Sequence, residues 1–192
     1  MLRPFFFLRH GQTNWNVDKI WQGQTDVPLN ATGVQQAHYA AEKLRMQNVP
    51  ITRIVSSPLI RAYRTAEIVA KSLNITVDVD TRLKERAYGA FEGLSSQKTR
   101  EKYGLAEDES HEHILPPDAE TLPALTERIK ESLLFWFLSY PHDTILIVSH
   151  GGCCSALQAD LCGQGGYNRV PTGAPHYFQP AKGSYLWTFK PV

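Results

Sequence analysis

The chain has 192 residues, 42% of them hydrophobic, with 20 Lys and Arg against 19 Asp and Glu and a formal net charge of +1. That length suits one domain, residues 1–192, carrying a small insertion, and the balanced charge excludes a general attraction to nucleic acid or to an anionic membrane. The apolar run Phe5 to Leu8 is far shorter than the roughly 7–15 residues of a signal-peptide core or the roughly 20 of a membrane span, so a cytoplasmic protein is expected. Cys153, Cys154 and Cys162 are odd in number and two are adjacent. That pattern gives neither a disulfide framework nor the paired spacing of a zinc site, and buried thiols are expected.

Short apolar strands alternate with amphipathic helices, the pattern of a three-layer α/β/α sandwich around a mainly parallel sheet. Phe5 to Leu8 predicts a buried strand that stops at Arg9-His10-Gly11. Thr32 is the expected cap of a helix running to about Gln47, with Ala37, Ala40, Ala41 and Leu44 at helical spacing. Ile51 to Ser56 predicts a second strand, and Pro58 the opening of a helix through Leu73.

The stretch 93–123 is charged and poor in large apolar residues, with Glu107-Asp108-Glu109 and Pro116-Pro117 inside it. It predicts a small cap or active-site loop over the sheet, with a short helix near Ser95 to Tyr103. A long helix is expected from about Leu122 to Ser139, its Phe135, Trp136 and Phe137 packed in the core. Thr144 to Ser149 predicts a strand, and a helix follows from Gly151-Gly152 to about Cys162. His176 to Gln179 and Tyr185 to Phe189 predict two last strands on either side of Lys182-Gly183.

In open α/β sheets the site lies beyond the carboxyl ends of the strands. Three predicted strands end in a distinctive cluster: Arg9-His10-Gly11, then Ser56-Ser57-Pro58 with Arg61 one turn later, then Ser149-His150-Gly151-Gly152. Two arginines offer planar forks for phosphate oxygens, and Gly11 lets backbone N–H groups approach an anion. The cluster therefore predicts a phosphate pocket with an imidazole in it.

These residues resemble the histidine phosphatase superfamily, also called phosphoglycerate mutase-like. The resemblance rests on Leu8-Arg9-His10-Gly11-Gln12-Thr13 with Trp15-Asn16, and on Ser57-Pro58-Leu59-Ile60-Arg61-Ala62 with Thr65-Ala66. It continues through Leu83-Lys84-Glu85 with Tyr88-Gly89 and Glu92-Gly93, and ends on Val148-Ser149-His150-Gly151-Gly152. It implies a phosphoglycerate mutase-like fold in which His10 is the nucleophile that becomes phosphorylated, Arg9, Arg61 and His150 hold the phosphoryl oxygens, and Glu85 gives the leaving alkoxide its proton. Asn16, Gln22, Gly23 and Gly151 match positions near the phosphate or the leaving group. Such chemistry needs no metal and no cofactor, because the cationic pocket itself stabilises the equatorial oxygens. The expected partner is a small phosphorylated substrate, and the expected activity is phosphomonoester hydrolysis.

Several residues invite other readings. His111-Glu112-His113 suggests a metal cluster, but its spacing in a charged loop lacks helical His-Glu-x-x-His geometry, and an exposed loop is expected. Cys153 and Cys154 follow His150 closely and are read as small packing residues rather than nucleophiles. Cofactor-dependent mutase-type transfer needs a grip on a second anionic group. Between Glu101 and Leu122 only Lys102 is basic among Glu101, Glu107, Asp108, Glu109, Glu112, Asp118 and Glu120, and this balance favours hydrolysis. A noncatalytic phospho-ligand binder is the third reading, and the presence of His10, Arg61, Glu85 and His150 together weighs against it.

Overall fold

A computed structural model describes residues 2–106, 111–163 and 170–192. Its sheet contains β1 (Phe5–Arg9), β2 (Arg53–Ser56), β3 (Val77–Val79), β4 (Ile145–Ser149), β5 (Pro175–Pro180) and β6 (Trp187–Pro191), in the spatial order β3-β2-β4-β1-β5-β6. The first four strands run parallel, β5 is antiparallel to β1, and β6 is antiparallel to β5. The helices are α1 (Asn14–Val17), α2 (Ala31–Met46), α3 (Ile60–Leu73), α4 (Ser96–Lys102), α5 (Leu122–Ser139) and α6 (Gly151–Cys162).

The period-2 geometry of the strands divides the core between two faces. Phe5, Phe7, Ile145 and Ile147 pack with Leu125, Ile129 and Leu133 of α5 and Leu157 of α6. Leu8, Leu146 and Val148 pack on the opposite face with Ala40 and Leu44 of α2 and Ala62, Ala66 and Val69 of α3. Covering on both sides explains why β1 and β4 read as unbroken apolar runs. The result is the expected three-layer α/β/α sandwich. Among the described residues no helix is long and apolar enough to cross a membrane.

Differences from the sequence reading have local causes. Asn30, not Thr32, caps α2, its side chain accepting from the Gly33 N–H at 2.8 Å. Pro58 stands before α3 rather than in its first turn. The four-residue α1 and three-residue β3 are too short to show a periodicity. Trp136 and Phe137 are buried as expected, whereas Phe135 is 49% exposed and carries the Arg82 guanidinium over its ring at 5.0 Å. The Glu107-Asp108-Glu109 run lies outside the described residues.

One buried carboxylate ties the sheet edge to α5. Asp80, just beyond β3, pairs with Arg82 at 2.7 Å and accepts hydrogen bonds from Ser132 Oγ at 2.7 Å and Trp136 Nε1 at 2.8 Å. Burial pushes its pKa up, but these donors outweigh burial and hold it at about 2. A pKa depressed on folding contributes stability that is complete above the unfolded value near 3.9 and is lost as pH falls through the folded one. We expect Asp80→Asn to cost about 2 kcal/mol in urea unfolding at pH 7, the difference from the native chain narrowing as pH approaches 2.

Candidate active site

The site exists because β4 is inserted between β1 and β2. The registers Arg9 with Ser149 and Ser56 with Val148 bring three strand ends level. The His10 N–H donates to the Ser149 carbonyl at 3.0 Å, and the Ser57 N–H to the Val148 carbonyl at 3.0 Å. His10 and His150, 140 positions apart in sequence, thereby lie with ring centroids 5.2 Å apart.

His10 is buried, and its Nδ1 stands 2.6 Å from the Gly11 carbonyl. A carbonyl only accepts, so in the neutral ring Nδ1 carries the proton and the Nε2 lone pair is left for another partner. Burial first, then the charges of Arg61 and Arg9, hold its pKa well below 6.5 against the hydrogen bond to Gly11. His150 is shifted in the same direction by burial, Arg61, His10 and Arg9. Its Nε2 lies 2.8 Å from Ser57 Oγ.

Arg61, in the first turn of α3, is fixed by the loop Gly23–Thr25. Its two terminal nitrogens donate to the carbonyls of Gly23 at 2.7 Å and Thr25 at 2.8 Å. Burial lowers its pKa, opposed by Glu85 and Asp26. The Gly23–Thr25 loop is in turn held by Glu92, whose carboxylate accepts from the backbone N–H groups of Gln24, Thr25 and Tyr88 at 2.9–3.0 Å. Gly23 has φ +50°, and a Cβ there would stand 2.0 Å from Glu92 Oε1, so both conformation and space require glycine.

These strand ends open into a cavity of about 640 Å³. Arg9, His10, Asn16, Gln22, Gly23, Arg61, Glu85 and Gly151 all line it. His150 does not: it is fully buried behind the wall and meets the site through His10 and Ser57. Glu85 is placed by two backbone donors, Arg86 N–H to Oε1 at 2.8 Å and Gly152 N–H to Oε2 at 3.1 Å. A Cβ on Gly152 would approach Glu85 Oε1 to 2.4 Å, so a larger residue there would displace the carboxyl. Asn16 Oδ1 accepts from the Thr13 N–H at 3.0 Å, which leaves its amide NH₂ as donor capacity for a ligand.

The acidic balance of 101–122 has a different meaning in three dimensions. Glu112 pairs with Arg86, Glu120 pairs with Arg128, and Asp118 Oδ1 accepts from the Ala90 N–H. Of the described acidic residues in that stretch only Glu101 lines the cavity, and Lys19 and Arg100 line it too. The charge count therefore does not argue against an anionic leaving group. His111 is also corrected: it is buried, packs edge-on against Trp21 at 4.9 Å, and burial brings its pKa down to about 4. Cys153 and Cys154 are buried helix residues as expected, and burial pushes the Cys153 thiol up to about 12, away from nucleophilic thiolate.

Sequence reasoning passed over Ser57, Trp15, Trp21, Tyr88 and the α4 residues Ser96, Gln97 and Arg100. Ser57, Trp15 and Tyr88 stand inside the motifs that carry the resemblance, which is a usable signal. The α4 residues reach the cavity only through tertiary placement, helped by an isolated bridge between Ile20 and Ser95.

His10, His150 and His111 share one pH signature. Their pKa values fall on folding, so the unfolded chain takes up protons first, and stability present above pH 6.5 is lost as pH falls below it. The urea midpoint is expected to drop between pH 7 and pH 5, and ¹⁵N NMR at pH 6 is expected to show His10 as the neutral Nδ1–H tautomer. A protonated His10 at pH 6 contradicts this assignment.

Comparison with known proteins agrees with this geometry. The model of the histidine phosphatase superfamily (branch 1) matches residues 5–171. The uncharacterized phosphatase PhoE of Bacillus subtilis (strain 168) is 38% identical over 156 residues, 81% of this chain and 76% of that protein. A protein of Proteus mirabilis (strain HI4320) named "Probable phosphoglycerate mutase GpmB" is 35% identical over 167 residues, 84% of this chain and 76% of that one. Among solved structures, a mycobacterial glucosyl-3-phosphoglycerate phosphatase superposes with a TM-score of 0.81 at 27% identity, covering 98% of this chain and 97% of its own. With a family match over most of its length, strand ends that gather Arg9, His10, Arg61 and His150, and Glu85 on the cavity wall, the chain belongs to the histidine phosphatase superfamily.

Proposed function

We propose that this protein is a phosphomonoesterase that hydrolyses a small phosphorylated metabolite through a phosphohistidine on His10, without a metal. The observation that carries this reading is the state of His10: neutral, with Nδ1 bonded to the Gly11 carbonyl and Nε2 left as the nucleophile. Nε2 attacks phosphorus as the ester P–O bond breaks. Arg9 and Arg61 supply the positive charge that the equatorial oxygens need, and Asn16 adds a neutral donor. His150, whose ring stands 5.2 Å from that of His10 and whose Nε2 meets Ser57 Oγ, adds to the pocket that holds the phosphoryl oxygens. Glu85 protonates the leaving oxygen and, once deprotonated, activates the water that hydrolyses the phosphohistidine. Gln22, Gly23 and Gly151 border the leaving group, and α4, with Ser96, Gln97, Arg100 and Glu101 on the cavity wall, acts as a cap over it. A PhoE-named phosphatase and a mycobacterial phosphatase among the relatives support hydrolysis.

Lys19 and Arg100 on the cavity wall favour a second reading, transfer between positions of an anionic substrate. The resemblance to a GpmB-named protein points the same way. The two differ in the fate of the phosphoryl group, which goes to water in one and back to an organic acceptor in the other.

Phosphate release across a panel of sugar phosphates, phosphoglycerates, nucleoside monophosphates and phosphopeptides tests the reading, with turnover expected to survive EDTA. Rapid quenching is expected to trap acid-labile phosphate on His10, and His10→Ala to abolish both label and turnover. A label on serine or cysteine, or activity restored only by added divalent metal, sinks the mechanism. Isomerised substrate without free phosphate selects the transfer reading.

A further inference from the structure

Glu85 stands on irregular backbone, between the 3-10 turns Thr81–Leu83 and Gly89–Phe91, so its own main chain belongs to no helix or strand, although the Gly152 N–H of α6 meets its carboxyl. Gln24 Nε2 donates to the Glu85 carbonyl at 3.1 Å and Ser149 Oγ to the Leu83 carbonyl at 2.8 Å, but a side chain from α5 bonds three carbonyls of this segment at once. Arg128 Nη1 donates to the carbonyls of Arg82 at 2.6 Å and Lys84 at 2.7 Å, and Nη2 donates to the carbonyl of Glu85 at 3.0 Å. The remaining two donors go to Glu120, Nε to Oε1 at 2.6 Å and Nη2 to Oε2 at 2.8 Å. A guanidinium has five N–H groups, and all five are spent here. None is left for a ligand, and Arg128 is not on the cavity wall.

The neighbours of Arg128 on α5, Leu125 and Ile129, are fully buried, so the fork projects from a rigid base. Glu120 closes the loop from the other side: its N–H donates to the Ala87 carbonyl at 2.9 Å, and its own carbonyl accepts from Arg86 Nε at 2.7 Å. The segment from Arg82 to Ala87 is thus strapped on both flanks of Glu85, by Arg128 of α5 on one side and by Glu120, just before the α5 cap, on the other.

We infer that Arg128 is a positioning residue for proton donation, holding the Glu85 carboxyl at the distance from which it reaches the leaving oxygen. The inference rests on the reading above, in which the proton passes from Glu85 to that oxygen as the P–O bond breaks and the His10 Nε2–P bond forms. Lysine cannot replace this group, because a single ammonium centre cannot serve three carbonyls and a carboxylate fork together.

The test compares p-nitrophenyl phosphate, whose leaving group needs little protonation, with glycerol phosphate, whose alkoxide needs it. Arg128→Lys keeps the charge opposite Glu120 and is expected to lower kcat on glycerol phosphate about tenfold or more while changing p-nitrophenyl phosphate by less than about threefold. Added to Glu85→Gln, it is expected to cause no further selective loss, because the donor it positions is already gone. A clamp that serves folding alone slows both substrates equally, and that result overturns the inference. Glu120→Gln, which weakens the same fork from its far side, is expected to show the same selectivity. Equal losses in both variants, or failure of both to fold, make the clamp structural only and also overturn it. Selectivity in Glu85→Gln without selectivity in Arg128→Lys defeats this inference alone. Absence of selectivity in Glu85→Gln itself, or of a phosphate label on His10, defeats the functional reading beneath it.

Discussion

The insertion of β4 between β1 and β2 is the constraint from which the rest of the site follows. Strand β1 is followed in sequence by β2, yet the two are separated in the sheet by a strand more than 80 residues further on. Only that order sets Arg9 opposite Ser149 and Ser56 opposite Val148, and so brings two imidazoles and a guanidinium to one spot. It also places the site where connections leave in opposite directions, the position at which open α/β sheets leave a crevice. The three central strands are buried on both faces, so the level of their ends is set by packing that a ligand does not disturb.

Electrostatics decides what that spot can do. Two imidazolium ions beside Arg9 and Arg61 in a buried site would place like charges together where desolvation is already costly. The histidines answer by remaining neutral, and the arginines keep the positive field. A neutral imidazole and a cationic cradle therefore coexist, as the proposed attack by His10 requires. Burial and the charges of Arg61 and Arg9 act in the same direction on His10, against the hydrogen bond to the Gly11 carbonyl.

Much of this was legible in the residues. Long elements with a clear period, α2, α3, α5 and the apolar strands, appear close to where their patterns predict them, because burial on one stripe or on both faces leaves a strong signal. Arg9, His10, Arg61, Glu85, Asn16, Gln22, Gly23 and Gly151 all reach the cavity. What could not be read depends on partners distant in sequence. Counting charge from Glu101 to Leu122 treated Glu112 and Glu120 as surface groups, whereas Arg86 and Arg128 consume them. The same blindness made His111 an exposed loop residue when an aromatic cluster of Trp21, Tyr88 and Phe91 encloses it. His150 was matched to the phosphate, but no local pattern tells that its ring sits one layer behind the wall.

The glycines at 23 and 152 both line the cavity, beside Glu92 and Glu85. At the phosphate end each position is occupied to contact distance by Glu92 or Glu85, so no side chain can be added there without moving a carboxylate on which the chemistry or its scaffold depends. The α4 end is built differently, from Ser96, Gln97, Arg100 and Glu101 on a seven-residue helix whose side chains reach into the cavity. Exchanges along that helix alter the shape and charge offered to the leaving group without touching the strands that carry His10 and His150. On the proposed mechanism, reaction and preference are thereby separated in space, and redecorating one short helix would change the substrate accepted while the strand ends keep their form.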